Sequence, residues 1–102
     1  MGRAEVAGHL LSSCPALVDY QAYMFGSSLH GIGEDFDILI VGPGGEALAR
    51  LKSQIAQAGS ELPLHVLYML PSEGEETGFV AKEGCVPLSD LAVRLGGEYV
   101  GR

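Results

Sequence analysis

The sequence predicts an α/β (α+β) fold, a small mixed sheet with helices packed on it, formed as a single domain over residues 1–102. Three observations carry that expectation. Apolar runs of strand length recur at 16–25, 36–42 and 61–70, each bounded by Gly or Pro. Stretches with apolar residues at helical spacing lie between and around them. A chain of 102 residues, 47 % hydrophobic and 19 % charged, can bury one modest core but not two, and is too apolar to stay disordered.

In chain order, "RAEVAGHLLS" places Val6, Leu10 and Ala7 or Leu11 on one helical face, and Cys14-Pro15 ends it. "ALVDYQAYMF" reads as a strand with Val18, Tyr20, Ala22 and Met24 on one side. "FDILIVG" is apolar on both faces after Asp37, which predicts a central strand covered on both sides. A helix follows, with Leu48, Leu51, Ile55 and Ala58 on its inner face and Gly59 at its end. "ELPLHVLYML" is the third strand, with Pro63 near its start, where a missing N–H is tolerated. After Pro71, Ser72 can cap a helix whose first turn carries Glu73, Glu75 and Glu76. Ser89 and Asp90 can cap a last short helix ending at Gly96-Gly97. The expected order is α-β-β-α-β-α-α.

Charge narrows the function classes. The formal net charge is −7, with six Lys and Arg in all. A duplex-binding surface needs clustered cations to replace counterions, so stable binding of a nucleic-acid polymer is not expected. A mononucleotide escorted by a metal ion stays compatible, because the ion brings its own positive charge. Cys14 and Cys85 lack CxxC spacing and read as two reduced thiols. The apolar part of the N-terminus is short and interrupted by His9, Ser12 and Ser13, which makes a poor signal peptide. No run reaches the length of a membrane span, and a cytoplasmic protein is expected.

Two glycine-rich turns compete for a phosphate. In "ILIVGPGGEALARL", Gly42-x-Gly44-x-x-Ala47 fits the relaxed dinucleotide spacing. However, Glu61, the acid at the right distance, precedes the third strand instead of ending it, and Pro43 removes an N–H. No Gly-Lys-Ser/Thr is present, so this turn is not a P-loop and reads as architecture. In "FGSSLHGIGEDFD", Gly26-Ser27-Ser28 leaves a strand and can start a helical turn whose N–H groups, with the Ser27 hydroxyl, face an anion. Asp35 and Asp37 are two apart on a strand, so their carboxylates share a face. At roughly 5 Å such a pair repels by about 3 kcal/mol at an effective dielectric near 20. A cation between them removes that cost. Mg²⁺, or Mn²⁺, is the natural occupant, held by carboxylates and completed by water and substrate phosphates. This turn is the expected site.

Gly26-Ser27, seven intervening residues including Gly31, then Asp35-Phe36-Asp37 and "ILIV" resembles the nucleotidyltransferase signature of the DNA polymerase beta superfamily, in particular its minimal single-domain members. The order of elements over residues 15–70 is similar too. The resemblance implies a nucleotidyltransferase-like fold in which Gly26, Ser27 and Ser28 hold a nucleoside triphosphate. Asp35 and Asp37 are then the catalytic carboxylates and the ligands of divalent metal, and a nucleoside monophosphate, AMP from ATP by default, passes to an acceptor. It further implies a protein partner, of the helical kind seen beside minimal relatives, or a homo-oligomer. Members of the family usually add a third acid from the next strand. Here His65 stands at that position, a candidate metal ligand whose neutral imidazole can take a transition metal but is a poor partner for Mg²⁺, and Glu61 and Glu73 lie outside the strand. Lys52, Lys82 and Arg50 are the cations available to the phosphates in the middle of the chain. These departures keep open a second class, a catalytically degenerate binding or regulatory module, antitoxin-like. Elsewhere the bland readings lead: His65 as a core histidine bonded to a carbonyl, His9 and His30 facing solvent, and Tyr20, Tyr23, Tyr68 and Tyr99 packing at the sheet faces.

Overall fold

The computed structural model describes residues 2–30 and 35–92, without the side chains of Ser28 and His30. Helix α1 spans Arg3–Ser13 and strand β1 Gln21–Phe25. Strand β2 spans Phe36–Val41, helix α2 Gly45–Ala58 and strand β3 Leu64–Met69. Short helices α3 (Pro71–Thr77) and α4 (Phe79–Lys82) lead to a two-residue strand β4, Val86–Pro87. A further helical segment begins at residue 88, and its expected end at Gly96-Gly97 lies outside the described residues.

The strands form one mixed sheet in the order β3-β2-β1-β4. β1 runs antiparallel to β2 and β4, and β2 runs parallel to β3. The parallel pair is bridged by α2, as a crossover between parallel neighbours requires. β2 is central, and its residues Ile38 to Val41 are all buried, which its two-sided apolar pattern predicted.

Side-chain alternation divides the sheet into two faces. Ala22, Met24, Phe36, Ile38, Ile40, Leu64, Val66 and Tyr68 join the core with Val6, Leu10 and Leu17, Leu51 and Ile55 of α2, and Leu88 and Leu91. The other face is partly roofed by α3 and α4. There Gly74 lets α3 approach Val41, and the Phe79 ring meets Phe25 edge-on at 5.0 Å. That roof leaves His65 and Leu67 of the β3 edge exposed.

Several expectations are corrected. The first half of the expected strand 16–25 is a 3-10 helix, Pro15–Asp19, because Pro15 starts a helical turn readily. Leu17 is thereby buried, and Val18, expected to face inward, is 84 % exposed. β4 was not expected, since two residues carry no alternation to read. α3 begins at Pro71 with Leu70 as its cap position, and the Glu73 carboxylate accepts the Leu70 N–H at 2.8 Å, so Ser72 is inside the helix. Ser89 likewise lies within the last helical segment. His9 is half-buried: its Nε2–H donates to the Ala58 carbonyl at 2.9 Å and pins α1 to the end of α2. Both cysteines are free thiols. Among the described residues no helix is long and apolar enough to cross a membrane.

Candidate functional site

The second glycine-rich turn is filled by protein. A β-carbon on Gly42 would collide with the Tyr20 ring, and the Tyr20 hydroxyl donates to the Pro43 carbonyl at 2.6 Å. This turn is therefore a packed strand-to-helix connection.

The first turn is built differently. Directly after β1 the chain enters one short 3-10 helix, Gly26–His30, through a left-handed Gly26 with φ +72°. A side chain is strained in that conformation. Space forbids one as well, since a β-carbon on Gly26 would stand 2.5 Å from Asp37 Oδ2. The helical turn expected after β1 is thus present, folded back onto the Asp37 carboxylate.

Register places the other members. Phe25 pairs with Asp37 on β1–β2, and Asp37 pairs with His65 on β2–β3. Paired residues project to one face, so Phe25, Asp37 and His65 make a row across three strands on the partly open face. His65 Nδ1 lies 3.3 Å from Asp37 Oδ1. An ionised carboxylate only accepts, so the ring nitrogen carries the proton in that contact. The His65 side chain is 81 % exposed and that of Asp37 23 %. His65 is therefore not a core histidine. It stands where the sequence placed it, beside Asp37.

Asp35 differs from its expected position. β2 begins at Phe36, whose N–H donates to the Pro63 carbonyl at 2.7 Å, so Asp35 sits exposed at the bend before the strand. Ser27 is exposed on the 3-10 turn, while the Ser28 and His30 side chains, Gly31 and Tyr99 lie outside the described residues. Tyr20 and Tyr68 pack against the core as expected. Lys52 is corrected: its ammonium lies 5.0 Å from the centre of the Tyr68 ring, on the helix-covered side of the sheet, opposite to Asp37.

Sequence reading missed Arg3. Its guanidinium Nη1 donates to the Leu29 carbonyl at 2.8 Å, which brings a cation from the first helix onto the Gly-Ser turn. No local signal could have found it, because 26 residues separate the partners. Arg3, Gly26 and Leu29 line a cleft of ≈ 460 Å³, with Glu83, Gly84 and Val86 among its other walls.

Chemically, Asp35 and Asp37 offer hard oxygen donors, the type that Mg²⁺ takes in ones and twos while waters and phosphates fill the remaining positions. Among the described residues no three His, Cys, Asp or Glu side chains gather into a metal site. No protein-family model, curated protein or solved structure matches the chain.

Proposed function

We propose that this chain is a nucleotidyltransferase-like domain that takes a nucleoside triphosphate with its divalent ion at the Gly26-Ser27 turn, beside Asp37 and Asp35. One observation carries the reading: the left-handed Gly26 turn lies against the carboxylate that follows it in the motif, the arrangement that a phosphate grip beside a metal-binding acid needs. In the transfer, an acceptor hydroxyl oxygen bonds to the α-phosphorus, the bond from that phosphorus to the β-phosphate oxygen breaks, and pyrophosphate leaves. The hydroxyl proton goes to a site carboxylate or to water. The ion supplies charge neutralisation for the phosphates. The chain's own residues supply the backbone N–H groups of the turn and the two acids. AMP from ATP is the default group transferred, and a second protein or another copy of the chain completes the acceptor site.

A specific observation favours a second reading. The strand beside Asp37 presents His65 in register, where the family usually presents a third acid. A module that binds the nucleotide and regulates a partner without turnover needs no such acid. Calorimetric titration of ATP and a non-hydrolysable analogue, with and without Mg²⁺, tests the shared premise. Binding that requires Mg²⁺ and is lost in Asp35→Asn/Asp37→Asn is expected. Pyrophosphate release then separates enzyme from binding module. Absence of binding to any nucleoside triphosphate at millimolar concentration contradicts both.

A further inference from the structure

We infer that Arg3 is the polyphosphate-anchoring cation of this domain, reaching from the first helix to the Gly26-Ser27 turn; the inference rests on the nucleotide reading above and names the part of the nucleotide that the cleft beside that turn receives. A triphosphate brings about four negative charges to a protein that already carries −7, so a binding site needs a positioned cation as well as the escorting ion. Arg50, Lys52 and Lys82 are the other described cations. Lys52 rests on the Tyr68 ring, Arg50 belongs to α2, and Lys82 is exposed on α4. Arg3 alone among them bonds to the turn itself.

Its geometry suits the task. One N–H of the guanidinium is spent on the Leu29 carbonyl, at 2.8 Å, which fixes the group against the last residues of the 3-10 turn. Four N–H donors remain in a planar fork that matches phosphate oxygens in pairs. Among the described residues Arg3 makes no ion pair. Gly26 lies between the two halves of the site: a β-carbon on it would meet Asp37 Oδ2, and it also lines the cleft that Arg3 enters. On this proposal a chain of phosphates crosses Gly26, with Asp37 for its metal-bound part and Arg3 for its other charge. Glu83 on the cleft wall disfavours a bare polyanion and so favours the magnesium complex.

The test is calorimetric titration of inorganic tripolyphosphate and of ATP, each with Mg²⁺, against wild type, Arg3→Gln, Arg3→Lys, Asp37→Asn and Arg50→Gln. Arg50→Gln changes net charge by the same amount as Arg3→Gln and serves as the control. Arg3→Gln is expected to weaken both ligands at least about tenfold, the loss of charge-assisted bonds to phosphate. Arg3→Lys, which keeps the charge and loses the fork, is expected to fall between, and Arg50→Gln to stay within about twofold. Melting temperatures matched between the two Gln variants exclude unfolding as the cause, and if Arg3→Gln melts early, the Arg3→Lys titrations decide the question. ATP binding that survives Arg3→Gln unchanged but is lost in Asp37→Asn overturns the role of Arg3 and leaves the nucleotide reading intact. Tripolyphosphate binding that needs Arg3 but ignores Asp37 supports the Arg3 anchor and overturns the nucleotide reading. No binding of either ligand to wild type overturns both.

Discussion

Gly26 and Asp37 are held so close that no side chain fits between them: a β-carbon on Gly26 would lie 2.5 Å from Asp37 Oδ2. The contact joins the end of β1 to the start of β2 across the hairpin whose register pairs Phe25 with Asp37. Gly26→Ala meets two penalties together, a left-handed backbone at φ +72° and displacement of the carboxylate. The expected cost is about 1–3 kcal/mol of stability, of which about 1–2 belongs to the backbone alone. Urea denaturation measures it. Asp37→Ala in the same background relieves the clash and leaves the backbone term, so the double variant is expected to lose less than the two single losses added. Additive losses would mean that the two groups are not in contact.

The row Phe25, Asp37, His65 leads to a gain-of-binding experiment. His65 is exposed and its carboxylate contact is open to solvent, so His65→Ala is expected to change stability by no more than about 0.5 kcal/mol. His65→Asp sets two acids opposite one another on neighbouring strands, where like charges destabilise by about 0.2–1 kcal/mol. Added Mg²⁺ is then expected to raise the melting temperature of His65→Asp and not that of wild type, as binding to the folded state alone requires. Equal responses of the two proteins to Mg²⁺ would show that positions 37 and 65 do not share an ion.

Much of this was legible in the sequence, and the exceptions have physical causes. β2 and α2 carry strong periodic signals, and both stand where the pattern put them, because burial on two faces or on one stripe leaves few alternatives. The helical turn after β1 was legible in Gly26-Ser27-Ser28 leaving a strand, its left-handed entry was not, and the neighbour of Asp37 was legible as His65. The pattern failed at Val18. There alternation continued through a segment that Pro15 had already committed to a helical turn, and a period of two over four residues is satisfied by either. It failed again at β4, whose pairing with Tyr23 and Met24 is decided by tertiary contact. Asp35 and Asp37 read as a same-face pair only if the strand includes both. The strand starts between them, at Phe36. Arg3 was invisible for a third reason: a single hydrogen bond across 26 residues leaves no trace in local spacing.

The Tyr20–Gly42 contact predicts that the second glycine turn matters for folding and not for ligand. Tyr20→Phe removes a hydrogen bond to the Pro43 carbonyl and is expected to cost about 0.5–1.5 kcal/mol. Gly42→Ala drives a methyl group into the Tyr20 ring and is expected to cost about 1–3 kcal/mol, as overpacking does. Neither variant is expected to change phosphate affinity once the comparison is made well below its melting temperature. A selective loss of ATP binding in a fully folded Gly42→Ala protein would make that turn a phosphate site after all.

The pH dependence of stability follows from the buried thiols. Burial pushes Cys14, only 1 % exposed, above the ordinary thiol value of 9.0. Burial raises Cys85 as well, with Glu83 adding to the effect and a backbone hydrogen bond partly offsetting it. Burial also raises the Tyr68 hydroxyl above 10.0, with Cys14 contributing. In each case the folded chain holds its proton more tightly than the unfolded one. The resulting stability is fully present below the unfolded value and is lost as pH rises through the folded one. The urea midpoint is therefore expected to be insensitive to these groups up to about pH 8 and to fall progressively above about pH 9. Cys14→Ala should flatten that decline by removing one of the three groups. Thiol labelling gives an independent reading, because a buried protonated sulfur reacts only when the chain opens. Cys14 should resist iodoacetamide at pH 8 until urea reaches the unfolding transition, with Cys85 labelled earlier. A midpoint that stays level from pH 8 to 10.5 in wild type would contradict the burial of these groups.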